Sequence, residues 1–335
     1  MNPRRPHRRP LLLLVPSNLA SQGPLLLLVP DKDRATESPT LFHLPRRRCL
    51  PFRLPPAPQD STRHLVSLGC RVVIRDYLSD LNRRDLRMVH LLTGEQTRLP
   101  PPNAKAGSFN HFILSGDLLV NWGYFGRTIC FCRLGAADWS VATIRIRGVW
   151  EEHYFLEDII CVKGTIYALV STCYWYDRPG YRLGVVNISE NWPSSAELVL
   201  LGDRLDARSV HLPVGTPLIL RLAECLGQLI VVSTSKPNPR VDNVFCWKSE
   251  ESKWVRITRI GGCALFFGTP FFVGSLGPDH PGIRKDCIYF SRDGLWSEYS
   301  LIDGSFRQYD HAVLPGGRSR GDFSAPVWVL PSKHS

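Results

Sequence analysis

Five times along this 335-residue chain a glycine or aspartate opens a short run of strand-forming residues. The runs are Gly69-Cys-Arg-Val-Val-Ile74, Gly116-Asp-Leu-Leu-Val120, Gly164-Thr-Ile-Tyr-Ala-Leu169, Gly227-Gln-Leu-Ile-Val-Val232 and Asp286-Cys-Ile-Tyr-Phe290, with starts 47, 48, 63 and 59 residues apart. Between them lies a second motif, an alternating strand, a tight polar turn and a strand bearing an aromatic residue or Leu. It occurs at Met88–Leu99, Ile129–Trp139, Val244–Trp254 and Trp296–Phe306, with a further copy at Thr40–Leu50 and a poorer one after Tyr181. Alternation with period two places one face of such a strand in a core, and polar turns at this spacing close hairpins.

A hairpin-bearing unit of about 50 residues is a small antiparallel sheet that cannot bury both faces by itself, so units stack radially around a channel. The pattern therefore predicts an all-β chain, a β-propeller of about six (six to seven) kelch-like blades. Composition agrees, since 27 Pro and 26 Gly stand against 2 Met among many β-branched and aromatic residues. A β-sandwich is the alternative, but its turns are more closely spaced and lack a 50-residue period. The domain reading is a basic, Pro/Arg-rich disordered tail over residues 1–23 and a propeller over 24–335. Pro10-Leu-Leu-Leu-Leu-Val-Pro16 is duplicated as Pro24–Pro30, and only the second copy leads into further strand-like sequence. The final Phe323–Pro331 segment reads as one more strand, positioned to complete the sheet of Leu25–Val29.

The formal charge of +11 is concentrated at one end, with a net +6 inside residues 1–60. Arg4, Arg5, Arg8 and Arg9 and the run Arg46-Arg47-Arg48 supply most of it. A nuclear-import or nucleic-acid patch is one reading; a solvated tail and one charged hairpin tip is the plainer one. No later segment resembles a zinc finger, an RNP sequence or a helix-turn-helix, so no nucleic-acid partner is expected. The aliphatic runs Leu11–Val15 and Leu25–Val29 fall far short of the roughly 18 residues a spanning helix needs. The longer apolar stretch 216–234 is interrupted by Arg221 and Glu224, so no membrane partner is expected either. Pro16 cuts short a secretory-type start, and repeated prolines oppose a transit helix. Most of the ten cysteines lie in apolar strand-like runs, the pattern of buried, reduced thiols. Cys130 and Cys132 lack a second ligand pair, so neither metal nor cofactor is expected. The residence expected is cytoplasmic and/or nuclear.

In order and spacing, several of these segments resemble the plant KIB-type β-propeller, a domain of unknown function that is often associated with an F-box. They are Leu91–Pro100, Leu156–Leu169, Phe245–Val255, Gly262–Gly268, Asp286–Phe290 and Pro326–Pro331, and the likeness spans nearly the whole chain from about Leu25. Members commonly begin with an F-box, a helical module of about 45 residues. Only some 23 residues precede the first strand here, and they are rich in Pro and Arg. The resemblance thus implies a propeller without a recognisable F-box. It further implies a protein partner, with shaggy-type kinases and ubiquitin-ligase components as the classes suggested.

Catalytic constellations are scarce. There is no nucleophile elbow, phosphate-binding P-loop or zinc-binding H-E-x-x-H. Glu151, Glu152, His153, Glu157 and Asp158 form the densest polar cluster; carboxylates around a channel can serve hydrolysis, but a loop and strand edge explains them as well. The binding candidates are aromatics near Gly and Arg, which suit exposed loops on a propeller face: Trp122, Tyr124, Phe125, Trp175, Tyr176 and Tyr181. Packing between blades is the competing explanation for each. The expected function is a non-catalytic, monomeric protein-interaction propeller and not an enzyme. The alternatives are the substrate-recognition subunit of a Skp–cullin–F-box ubiquitin ligase and, from another class, a propeller enzyme acting on glycans. Clustered carboxylates at the channel mouth would favour the enzyme.

Overall fold

A computed structural model of the chain describes residues 23–28, 39–51, 54, 61–78, 84–91, 93–101, 111–123, 126–147, 154–172, 180–191, 194–205, 218–235, 240–268, 271–292, 295–310 and 327–330. All regular structure among these residues is β-strand. The strands group into successive antiparallel meanders. The first comprises β1 (Leu25–Leu28), β2 (Thr40–His43) and β3 (Arg48–Pro51), completed on its inner side by β25 (Val327–Val329). The second runs β4 (Ser61–Leu68), β5 (Arg71–Leu78), β6 (Arg84–His90), β7 (Gln96–Leu99).

The third, β8 (His111–Ser115), β9 (Leu118–Trp122), β10 (Thr128–Arg133), β11 (Ser140–Ile146), is joined to the fourth. The fourth is β12 (Tyr154–Val162), β13 (Thr165–Thr172), β14 (Gly180–Ser189), β15 (Ser195–Leu205). Their outer strands β11 and β15 pair in parallel, Ile144 opposite Ala196, making one eight-stranded sheet. The fifth meander is β16 (Leu218–Cys225), β17 (Gln228–Ser235), β18 (Arg240–Lys248), β19 (Lys253–Arg256). The last sheet has five strands, β20 (Ala264–Phe267), β21 (Phe272–Leu276), β22 (Cys287–Arg292), β23 (Leu295–Ser300) and β24 (Phe306–Asp310), in the order β21-β20-β22-β23-β24.

The residues that open the sequence repeat turn out to be turn residues. Gly69, Gly116, Gly164 and Gly227 have φ of +69°, +61°, +81° and +75°, and Asp286 has φ of +53°. Left-handed backbone there favours Gly, or Asp among the rest. Lys163-Gly164 and Leu226-Gly227 are both left-handed at two consecutive positions, as a two-residue hairpin of matching twist requires. Asp286 differs in another way, because β20 runs parallel to β22, Ala264 opposite Cys287. The chain then has to reverse through β21 before β22 begins, which lengthens that unit.

Alternation in each sheet sends side chains to two different cores. Val73 and Met88 join Phe112 and Leu119 between the second and third meanders, whereas Val72 and Ile74 join Leu25 and Leu41 on the other face. Comparable clusters join the third to the fourth, fourth to fifth and fifth to last meander. The last meander packs on the first through Phe266, Tyr289, Phe42 and Trp328. The ring of cores is therefore closed.

The terminal strand behaves as its sequence suggested. β25 pairs antiparallel with β1, Leu25 opposite Val329 and Leu27 opposite Val327. Cys70, Cys130, Cys132, Cys161, Cys225, Cys246, Cys263 and Cys287 are free thiols, all buried except Cys161. Among the described residues no group of three or more His, Cys, Asp or Glu is arranged to hold a metal, and no helix is long and apolar enough to cross a membrane.

Candidate functional site in the central channel

The inner strands β4, β8, β12 and β16 lie beside one another around the axis, with β25 against β4. They surround a cavity of about 830 Å³. The hairpin β20–β21 adds an extra strand on the inner edge of its sheet, and β21 lines that cavity along its whole length. The remaining walls are mainly apolar, from Phe112, Ile113 and Leu114 of β8, Ile159 and Ile160 of β12, and Leu330.

Two carboxylates that line the cavity, Asp158 and Glu224, are occupied by backbone. Asp158 is buried and accepts from the amide of Ile159 at 2.9 Å and from that of Leu222 at 2.8 Å. It thereby ties β12 to β16. Burial pushes its carboxyl up to about 7, against the opposing pull of Arg221 and the two amides. Glu224 accepts from the amide of Gly227, closing its own turn. Glu157 accepts from the Ser171 hydroxyl. Glu151, Glu152 and His153 lie outside the described residues.

Where β8 and β16 begin, basic and aromatic side chains converge. The His111 ring lies 3.5 Å from that of Phe271, tilted by 49°, and 5.4 Å from that of Trp122, centroid to centroid. Arg221 sits 4.9 Å over the Phe271 ring. Arg75 lies 5.7 Å from the Phe112 ring and donates to the Tyr77 hydroxyl. His111, Arg75 and Arg221 are all buried. Burial first, then the nearby positive charges of Arg221 and Arg75, push the His111 imidazole down to about 3. The imidazole is therefore neutral across the physiological range. This cluster was not singled out from the sequence. Its signal was an arginine inside an apolar strand, in Val72-Val-Ile-Arg75 and Leu218-Ile-Leu-Arg221.

The expected contact aromatics divide differently. Trp122 and Tyr181 are buried, 2% and 5% exposed, which corrects their placement on exposed loops. Trp122 ends β9 opposite Ile129 and His111 and enters the core between the third and fourth meanders. Tyr181 lies in β14 and packs with Leu183 and Leu220 in the next core. At strand positions facing a neighbouring sheet, a large ring is drawn into the core by the apolar area it buries. Tyr124, Phe125, Trp175 and Tyr176 lie outside the described residues.

A closed ring of radially packed antiparallel sheets with a terminal strand completing the first is a β-propeller. The model of the KIB1-4 beta-propeller family matches residues 41–316, and the chain belongs to that family. No curated protein matches it. Among solved structures, a nidogen/laminin complex is similar at 13% identity and a TM-score of 0.40, covering 92% of this chain and 100% of that one. A putative 6-phosphogluconolactonase from Bacteroides fragilis NCTC 9343 is similar at 12% identity and a TM-score of 0.41, with 88% and 95% covered. An oligogalacturonate lyase in complex with manganese is similar at 12% identity and a TM-score of 0.40, with 92% and 97% covered.

Proposed function

We propose that this chain is a non-catalytic protein-interaction propeller. The observation that supports this reading most directly is the state of the channel carboxylates. Asp158 uses both oxygens on backbone amides and Glu224 closes a turn, so neither is presented as an acid–base pair for hydrolysis. The extra strand β21 along the cavity wall also narrows the place where a polymeric substrate would thread. The partner is a protein, with shaggy-type kinases and ubiquitin-ligase components as the first classes to test, and the setting is the cytoplasm and/or nucleus. Affinity purification of the tagged chain from plant cells, read for Skp-type adaptors and shaggy-type kinases, tests it. Specific enrichment of either supports an interaction role. Turnover of a glycan panel by the purified chain would overturn it.

A further inference from the structure

Arg75 is 3% exposed, and among the described residues its Nε and Nη2 have no hydrogen-bond partner, while its Nη1 donates to the Tyr77 hydroxyl. A buried guanidinium left without an anion is costly, because the charge has lost its hydration and gained little in return. The orphaned atoms matter as much as their number. Nε and Nη2 form one edge of the planar guanidinium, a two-pronged fork that matches the two oxygens of a carboxylate or phosphate.

The same edge is filled elsewhere in this protein. Arg63 grips Asp76 through Nε at 2.7 Å and Nη2 at 2.9 Å. Arg133 grips Glu190 through Nε at 2.9 Å and Nη2 at 2.6 Å. The fork of Arg75 is the empty counterpart of these two.

Its surroundings add to the case. Arg221 brings a second buried positive charge to the same cluster, and both arginines act on His111. Arg221 also acts on Asp158, whose carboxylate is shared between two backbone amides. Trp122 Nε1, a second donor without a partner among the described residues, lies in the aromatic group around His111 and Phe271. Among the described residues the cluster holds unused donors and aromatic walls.

We propose that Arg75 is the receptor of an oxyanion site inside the propeller, its Nε/Nη2 edge taking a carboxylate or phosphate group bidentately. Arg221 supplies the second charge, and Phe112 and Phe271 exclude water from the contact. This site stands apart from the interaction role above, since it needs only this buried cluster.

Titrating the full chain with sodium phosphate or sodium acetate, at ionic strength held constant with chloride, tests it by calorimetry and thermal melting. Saturable binding with a rise in Tm is expected for at least one of the two anions. The anion that saturates at lower concentration identifies the ligand group as phosphate or carboxylate. Arg75→Met is expected to abolish the response and to melt at or above the wild type without added anion. Arg75→Lys keeps the charge but lacks the fork, and a saturation concentration at least tenfold higher is expected. A wild type indifferent to both anions overturns the proposal. So does a lysine variant that saturates where the wild type does, even if the methionine variant fails to fold.

Discussion

Leu26 faces Trp328 across an antiparallel pair, although some 300 residues of chain separate them. Trp328 is fully buried, donates from Nε1 to the Phe267 carbonyl at 3.1 Å and meets Phe266, Tyr289 and Trp296 edge-on. The ring is thus closed by a short strand whose energy rests largely on one side chain.

Replacing Trp328 with Ala is expected to cost about 3–5 kcal/mol, the usual cost of emptying a large aromatic site. Deleting residues 322–335 removes the strand itself and should abolish cooperative unfolding. Urea denaturation followed by fluorescence and circular dichroism checks both. A truncated chain with an unchanged midpoint and slope would contradict the closure.

Asp76 is wholly buried between Arg63 and Arg87. Asp76→Ala removes the buried carboxylate that Arg63 and Arg87 share, Arg87 keeping its 3.2 Å contact with Asp85, so a loss of about 3 kcal/mol is expected. Replacing Arg63, Asp76 and Arg87 together with apolar residues should recover much of that loss. The double comparison, measured by denaturant unfolding, separates a packing defect from an uncompensated charge.

Two buried groups set opposing dependences on pH. The Asp158 carboxyl, raised by burial to about 7, holds its proton in the folded state where the unfolded chain has released it. Its contribution is therefore full below about pH 4 and is lost as pH rises towards 7. The His111 imidazole, lowered to about 3, stays neutral where the unfolded chain binds a proton. Its contribution is present above about pH 6.5 and is lost as pH falls towards 3. Relative to wild type, Asp158→Asn should gain stability as pH rises from 4 to 7, while His111→Phe should resist acid better. Thermal melts of both variants from pH 3.5 to 7.5 test the signs.

Thiol reactivity should be low in the folded chain. Burial raises the Cys130 thiol to about 11 and the Cys132 and Cys287 thiols to about 12, so little nucleophilic thiolate exists at neutral pH. A disulfide reagent at pH 8 is expected to label these three slowly until urea unfolds the protein. Mass spectrometry of quenched samples gives the order of labelling, and fast labelling of Cys132 in the native state would contradict its burial.

Much of the architecture was legible because it rests on local rules. A glycine that must turn left-handed stands out in sequence, as do the alternating residues between Met88 and Leu99. The pairing of the last strand with the first was readable from Phe323–Pro331, one more strand beyond the last repeat. The binding aromatics were less legible. Trp122 and Tyr181 have neighbours rich in Gly and Arg, which resemble an exposed loop, yet both fall at strand positions that face an adjacent sheet. Which sheet covers a given face is a long-range fact that no window of sequence contains.

The sequence by itself determined the all-β class, the repeating unit, the positions of its turns and the strand that closes the ring. Each depends on backbone conformation and period-two burial within a few dozen residues. Only the tertiary structure decided that β20 runs parallel to β22 and lays β21 along the channel. It also decided that Arg75, His111 and Arg221, from three different meanders, come close enough for both arginines to act on the imidazole. Radial closure brings inner strands together whatever their separation along the chain, and the charge balance of the channel exists only once they meet.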